Sequence, residues 1–550
     1  MYINSHYNLN LEIKIDEPGT LSKRIPCDIR DKIVSLKISG NINREDFDDV
    51  LDEMCDFHGE HDNDDNYKID LEESPALRCL DLGEAAFVGG EELPYFGFHT
   101  QLETLILPKG ISSILESGEF ETGFSDSDML KELILPEGIK TLRGVMNCPN
   151  LNGLKIPESV ENIESFAFSG CSSIQNIRIP KNVNKIDGSC FAGCHISGFE
   201  LDSDNPNFVE IDGVIFSKDL TRLIAFPSYY PHSKYVIPPT TKVISWGAFM
   251  DSQIETIEIP DSVEIIEGWA FQDSTVSSLF IPDSVKEIGE IAFRGCDKLK
   301  TLRLSNNISE IPRQLISSCT SLKRIEIPSN VKKVEYSALA WCECLEEIVI
   351  QPGVEEITTD GPMLIRPSLL QRVIIPSTLR KIPGGAFSYS ENRNVFNLDS
   401  RNPYFSLHDG VLYSKDGKRI ISIPNRSRKR FDIPDGVTVI SEMVFIDMTD
   451  LEEVTLPHSL QSIETRAFQG CTSLKTLTIP SSVQYVDIDA LWADNLKDVF
   501  MIGDNPPIMT VKVHSEDWRF SKVRLHVPRK SLPIYRNSPG WQCFDITADE

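Results

Sequence analysis

The residues that could do chemistry are few and poorly spaced for it. His58, His61, Asp62 and Asp64 fall together in "HGEHDNDDN" at 58–66, and imidazole beside carboxylate is a metal-ligating combination. Their spacing fits neither a His-Glu-x-x-His helix nor a calcium loop, so the stretch reads as solvated and no metal is assigned. Cys342-Glu-Cys344 is too tightly spaced for a zinc motif, and no second pair follows it. The sequence contains no glycine-rich phosphate cradle, no nucleophile elbow and no Cys-x-x-Cys. No cofactor is expected, and the chain reads as a non-enzyme.

What could position any site is a repeat. A block of the form L-x-x-I-x-I-P, then V-x-x-I, then Ala-Phe and often Cys, returns about every 23 residues over most of the 550. "LKRIEIPSNV" at 322–331 is closely echoed by "LKTLTIPSSV" at 474–483. A short fixed period means a solenoid, whose units cannot bury an apolar face alone and share one core by stacking. In "LKRIEIP" the alternation turns Ile325 and Ile327 inward and Arg324 and Glu326 outward, as a strand requires. Proline ends the strand because it has no N–H for the ladder. Val331 and Val334 form a second short apolar pair. In Ala167-Phe168, Ala270-Phe271 and Ala292-Phe293, the small residue is expected to turn the corner and the ring to fill the coil.

Formal charge is −29, from 54 Lys+Arg against 83 Asp+Glu. So acidic a surface argues against nucleic acid and against an anionic membrane. No apolar run reaches the roughly 18 residues a spanning helix needs, so membrane insertion is not expected. The start, "MYINSHYNLNLEIKID", lacks a basic and then apolar leader and does not read as a signal peptide. Six of the 13 cysteines share one repeat position, Cys171, Cys194, Cys296, Cys319, Cys342 and Cys471. They are expected to pack as buried thiols, acting as small hydrophobes.

These residues resemble the BspA-like leucine-rich repeats of Bacteroidales-type bacteria. The likeness is carried by "IPESVENIESFAFSGC" at 156–171, by "GTLSKRIPCDIRDKIVSLKISGNIN" at 19–43 and by the closing "VPRKSLPIYRNSPGWQCF" at 527–544. It implies a leucine-rich-repeat solenoid, an α/β-class superhelix dominated by a parallel β-sheet. A small N-terminal α+β cap and two β-hairpin insertions complete the expected fold. It also implies an interaction protein, at the cell surface or secreted, that binds a protein or a glycan. With no leader in the chain, the alternative is a cytoplasmic scaffold. The family supplies no catalytic motif.

The expected organisation is a cap over 1–75, repeats over 76–502 and a capping repeat over 503–550. In the cap, Ile33 to Ile38 alternate as a strand, and Asn43 can cap a helix running to about Phe57 over the exposed sheet edge. The insertions fall at about 202–230 and 399–428, in "FELDSDNPNFVEIDGVIFSKDLTRLIAFP" and "FNLDSRNPYFSLHDGVLYSKDGKRIISIP". Each reads as a hairpin turning at Ser217 to Leu220 or Ser414 to Gly417. The copies lie 197 residues apart, as do Ile259 and Leu456, so a large block was duplicated. The hairpins either pack on the solenoid or protrude as contact elements. One tail is aromatic (Tyr229, Tyr230) and the other basic (Arg426, Arg428, Arg430). On the outward row of the main sheet, Phe280, Val349 and Ile374 are candidate contacts, because exposed apolar residues stacked on one face mark a binding patch.

Overall fold

The computed structural model describes residues 9–51, 54, 77–90, 92–93, 101–114, 127–335, 337–357, 369–387, 392, 394–424, 427–510 and 520–549. They fall into two compact units, Met1–Val276 and Ser277–Glu550.

In the first unit the alternating blocks become short parallel strands. Leu9–Ile15, Ile33–Ile42, Cys79–Phe87, Thr104–Ile106 and Glu132–Ile134 lie side by side in that order. Leu80 sits opposite Leu105, and Leu105 opposite Leu133, so like residues stack rung on rung. A second parallel row runs through Glu92–Leu93, Ser113–Ile114, Thr141–Leu142, Asn162–Ile163 and Lys185–Ile186. The second unit repeats the plan. Arg324–Ile327, Glu347–Ile350, Arg372–Ile375 and Phe396–Leu398 form the main face, with Ile325, Ile348, Val373 and Phe396 in register. These are the parallel rungs of a β-solenoid, as the repeat period requires. Where a proline follows the strand it also opens the next turn, its carbonyl accepting the amide of the residue three on (Val331 to Pro328, 3.1 Å; Val183 to Pro180, 3.3 Å).

The corner differs from expectation. The small residue does not make the tight turn. The residue before it does, in the left-handed region: Phe166 (φ 56°), Trp269 (60°), Gln314 (53°), Met443 (55°) and Arg466 (54°). A second left-handed residue follows four positions on, at Gly170, Asp273, Ser318, Asp447 and Gly470. Inter-rung hydrogen bonds hold the corner, such as Phe445 N–H to the Ala467 carbonyl (2.9 Å) and Asp447 N–H to Gln469 (2.7 Å). The small residue and the ring between the two are buried, as at Ala270-Phe271 and Ala467-Phe468. Successive rings meet face to face, with Phe249 on Phe271 at 4.8 Å and Phe445 on Phe468 at 5.1 Å.

The cysteine position lies just beyond this corner and is buried, and Cys148 occupies it too. The thiols of Cys194, Cys319 and Cys471 each donate to the phenylalanine carbonyl of the preceding rung at 3.1 Å. Burial pushes the Cys194 and Cys342 thiols up to about 12, so they remain protonated.

At the N-terminus the edge strand is Leu9–Ile15, which the sequence reading left unassigned. The expected helix begins at Asn43 with a reciprocal capping box to Asp46, then becomes a π-helical turn over Phe47–Leu51. Its Phe47 meets Phe87 edge-on at 5.6 Å. Met54 beyond it is helical and buried; the other residues to Phe57, like His58, His61, Asp62 and Asp64, lie outside the described residues. At the C-terminus Tyr535 and Trp541 are fully buried, and the indole N–H donates to the Pro507 carbonyl at 2.8 Å. The last strand, Asp545–Asp549, pairs with Arg524–Pro528.

Candidate interaction surfaces

Each insertion is a three-stranded antiparallel meander, one strand more than expected. In the first, Phe208–Ile211 pairs with Val214–Ser217, which pairs with Arg222–Ala225. In the second, Phe405–His408, Val411–Ser414 and Arg419–Ser422 do the same. The extra turns are Asp212-Gly213 and Asp409-Gly410, with both residues left-handed in each. The expected turns are also present. Leu220 N–H reaches the Ser217 carbonyl at 2.8 Å and Gly417 N–H reaches Ser414 at 2.9 Å. Hydrogen bonds from Ser217 and Thr221 hold the Asp219 carboxyl down at about 2.

One buried asparagine ties each meander to the rung before it. Asn205 donates to the carbonyls of Pro180 (3.2 Å) and Val183 (2.9 Å) and accepts from the amides of Asn207 and Phe208. Asn402 repeats all four bonds with Pro376, Leu379, Tyr404 and Phe405. A buried amide so satisfied packs its segment onto the body.

The tails are less free than their composition implied. Tyr230 is half-buried against Phe226 (4.9 Å) and Tyr235 (5.3 Å), in a satellite core. Tyr229 is 43% exposed and its ring rests 4.2 Å from His195. Arg428, expected as part of an open basic cluster, is half-buried instead. Its guanidinium bonds the Asp409 carbonyl at 3.2 Å and lies over the Phe431 ring at 5.4 Å. Arg430 stays exposed but pairs with Glu453 on the next rung, as Lys429 pairs with Glu452. The stretch is therefore largely neutralised by acids one rung away. Arg426 lies outside the described residues.

On the outward row, Phe280 is 60% exposed with the Arg303 guanidinium 4.6 Å over its ring. Glu326 and Ile374 follow on the same face, each half-buried. Val349 is only 8% exposed, contrary to expectation. It sits in register between Glu326 and Ile374, and the adjacent Gln351 bonds Glu326 beside it, so neighbouring rungs close over it. The row carries one open aromatic–arginine contact rather than a continuous apolar strip. Among the described residues no group of His, Cys, Asp and Glu could hold a metal ion. No described helix is long and apolar enough to cross a membrane.

Parallel rungs about 23 residues apart, an Ile-Pro strand end and a buried Ala-Phe corner define a leucine-rich-repeat solenoid. The chain belongs to the BspA-type leucine-rich repeat family, whose repeat region matches residues 94–222, 241–361 and 424–508, more than half of its length. No curated protein matches it. Among solved structures it is similar to a leucine-rich repeat protein from Eubacterium ventriosum, with 18% identity over 76% of this chain and 83% of that one and a TM-score of 0.36. It is also similar to the pneumococcal vaccine antigen PcpA, with 16% identity over 62% and 98% and a TM-score of 0.38. A leucine-rich cell surface protein from Faecalibacterium prausnitzii shares 20% identity over 64% and 83%, with a TM-score of 0.33.

Proposed function

We propose that this chain is a non-enzymatic interaction module, displayed at the cell surface or secreted, that binds a protein partner through the outward row of its main sheet. The carrying observation is the pairing of exposed Phe280 with Arg303 on neighbouring parallel strands. Protein interfaces are enriched in aromatic residues and arginine, and a few such anchors dominate their energy. Ile374 extends the same row, and exposed Tyr229 and Arg430 are separate secondary candidates. Family membership supports an interaction role, and a surface location rests on that same likeness.

The test is biosensor binding of the full chain to a panel of purified host matrix proteins, with the Phe280→Ala/Ile374→Ala double variant alongside. The expected result is saturable binding to at least one protein that the double variant weakens at least tenfold, since losing one anchor costs about 2 kcal/mol or more. Saturable binding that survives both substitutions would remove this face from the proposal.

A further inference from the structure

In the first unit the second parallel row ends at Lys185–Ile186, and the next strand on that side, Arg222–Ala225, belongs to the meander. The break opens a pocket of about 280 Å³, just under the usual span for small-ligand sites of about 300–1,000 Å³. Its walls are held by close backbone contact. A Cβ on Gly188 would lie 2.3 Å from the Trp246 carbonyl oxygen and 2.7 Å from that of Ile224, so only glycine fits there. Glu267 is fixed by Arg222 Nη2 (2.6 Å) and by the Trp246 N–H (2.9 Å).

The second unit carries the same scaffold. Arg419 bonds Glu464 at 2.7 Å, Glu464 accepts the Glu442 N–H at 3.3 Å, and a Cβ on Gly384 would lie 2.2 Å from the Glu442 carbonyl. Those shared parts serve the fold. Three features mark the first copy. Trp246 lines the pocket where the second copy has Glu442, and it stacks on Trp269, at the position of Arg466, with centroids 5.7 Å apart. Phe166 meets Trp269 edge-on at 5.8 Å and braces the pair. Ser245 lines the pocket at 7% exposure, and its buried Oγ has no hydrogen-bond partner, whereas its counterpart Ser441 Oγ accepts from Arg419 at 3.2 Å. Other buried hydroxyls of this chain, such as those of Ser252 and Ser284, also have no protein partner, but Ser245 is the one among them that lines the pocket, where a ligand could satisfy it.

The charged groups lining the pocket balance, with Lys185 and Arg222 against Asp187 and Glu267. We propose that this pocket binds one neutral pyranose unit of a saccharide. The indole of Trp246 receives the apolar C–H face of the ring. Ser245 Oγ and the carboxylates accept from or bond its hydroxyls, and Arg222 donates to them. A neutral polyol needs both donors and acceptors and no net charge, which is what the lining offers. This site is independent of the sheet face proposed for a protein partner.

The test is isothermal titration and tryptophan fluorescence of the full chain with the methyl glycosides of glucose, galactose, mannose and N-acetylglucosamine. Matching trisaccharides and N-acetylneuraminic acid complete the set. One neutral glycoside is expected to bind saturably at one site, and Trp246→Ala should weaken it at least about tenfold through loss of the aromatic platform. Ser245→Ala should weaken it severalfold, and Glu442→Ala in the second copy should leave it unchanged. Melting curves confirm that each variant is folded. Equal affinity for the trisaccharide assigns a free or terminal sugar, and tighter trisaccharide binding assigns an extended chain. No saturable binding by any neutral probe, a preference for N-acetylneuraminic acid, or binding that survives Trp246→Ala in the folded variant overturns the proposal.

Discussion

Replacing Arg466 by glycine should stabilise the protein. Arg466 holds φ at 54° and its side chain is exposed, so the exchange tests the backbone and not packing. An L-residue in the left-handed region costs about 1–2 kcal/mol that glycine does not bear. Glycine's looser unfolded chain offsets about 0.5–1 kcal/mol of that relief. The net expectation is a gain of about 0.5–1 kcal/mol. Arg466→Val places a β-branched side chain in the same conformation and should cost about 1–2 kcal/mol. Thr465, one residue earlier, lies outside the left-handed region, so Thr465→Gly should cost about 1 kcal/mol. Neighbouring glycine substitutions thus have opposite signs. The assay is urea unfolding of the full chain followed by far-UV circular dichroism, comparing midpoints, because repeat arrays need not unfold in one step. If Arg466→Gly loses as much stability as Thr465→Gly, the corner reasoning is wrong.

Two further outcomes follow from particular contacts. Asn402→Ala should cost about 3 kcal/mol by the same unfolding assay, because it leaves two amides and two carbonyls of a buried junction without their partner. Burial, with Asp273 adding to it, pushes the Asp251 carboxyl up to about 6. An unfolded aspartate titrates near 3.9, so the folded chain binds that proton more tightly between about pH 4 and 6. Stability from this group therefore falls as pH rises through that window and stays lower above it. Asp251→Asn should gain about 1 kcal/mol at pH 8, allowing for solvent screening, and little at pH 4.

The rungs were legible because strand alternation and proline stops are local and recur. The left-handed corner was not, since Phe166, Trp269, Gln314 and Arg466 share no side-chain chemistry. Inter-rung hydrogen bonds impose that backbone, and they involve residues more than 20 positions away. Asp212-Gly213 and Asp409-Gly410 carried a readable hairpin signal that the reading of the insertions overlooked. The low exposure of Val349 and the half-burial of Arg428 depend on Ile374 and Asp409, distant in sequence, so a charge run and an alternation pattern both misplaced them. The pocket had a sequence trace as well: Trp246 and Trp269 recur 23 residues apart where the duplicated block carries Glu442 and Arg466.

Hydrogen–deuterium exchange of the intact chain tests the stacked-rung structure most directly. Asn184, Glu452, Gln461, Gln484 and Lys497 have exposed side chains, yet their amides donate to carbonyls of the preceding rung at 2.7–2.8 Å. The expected result is slow exchange at these polar surface positions, with Gln461 and Gln484 protected one repeat of 23 residues apart. Exchange there at the rate of an unstructured chain would contradict parallel stacking.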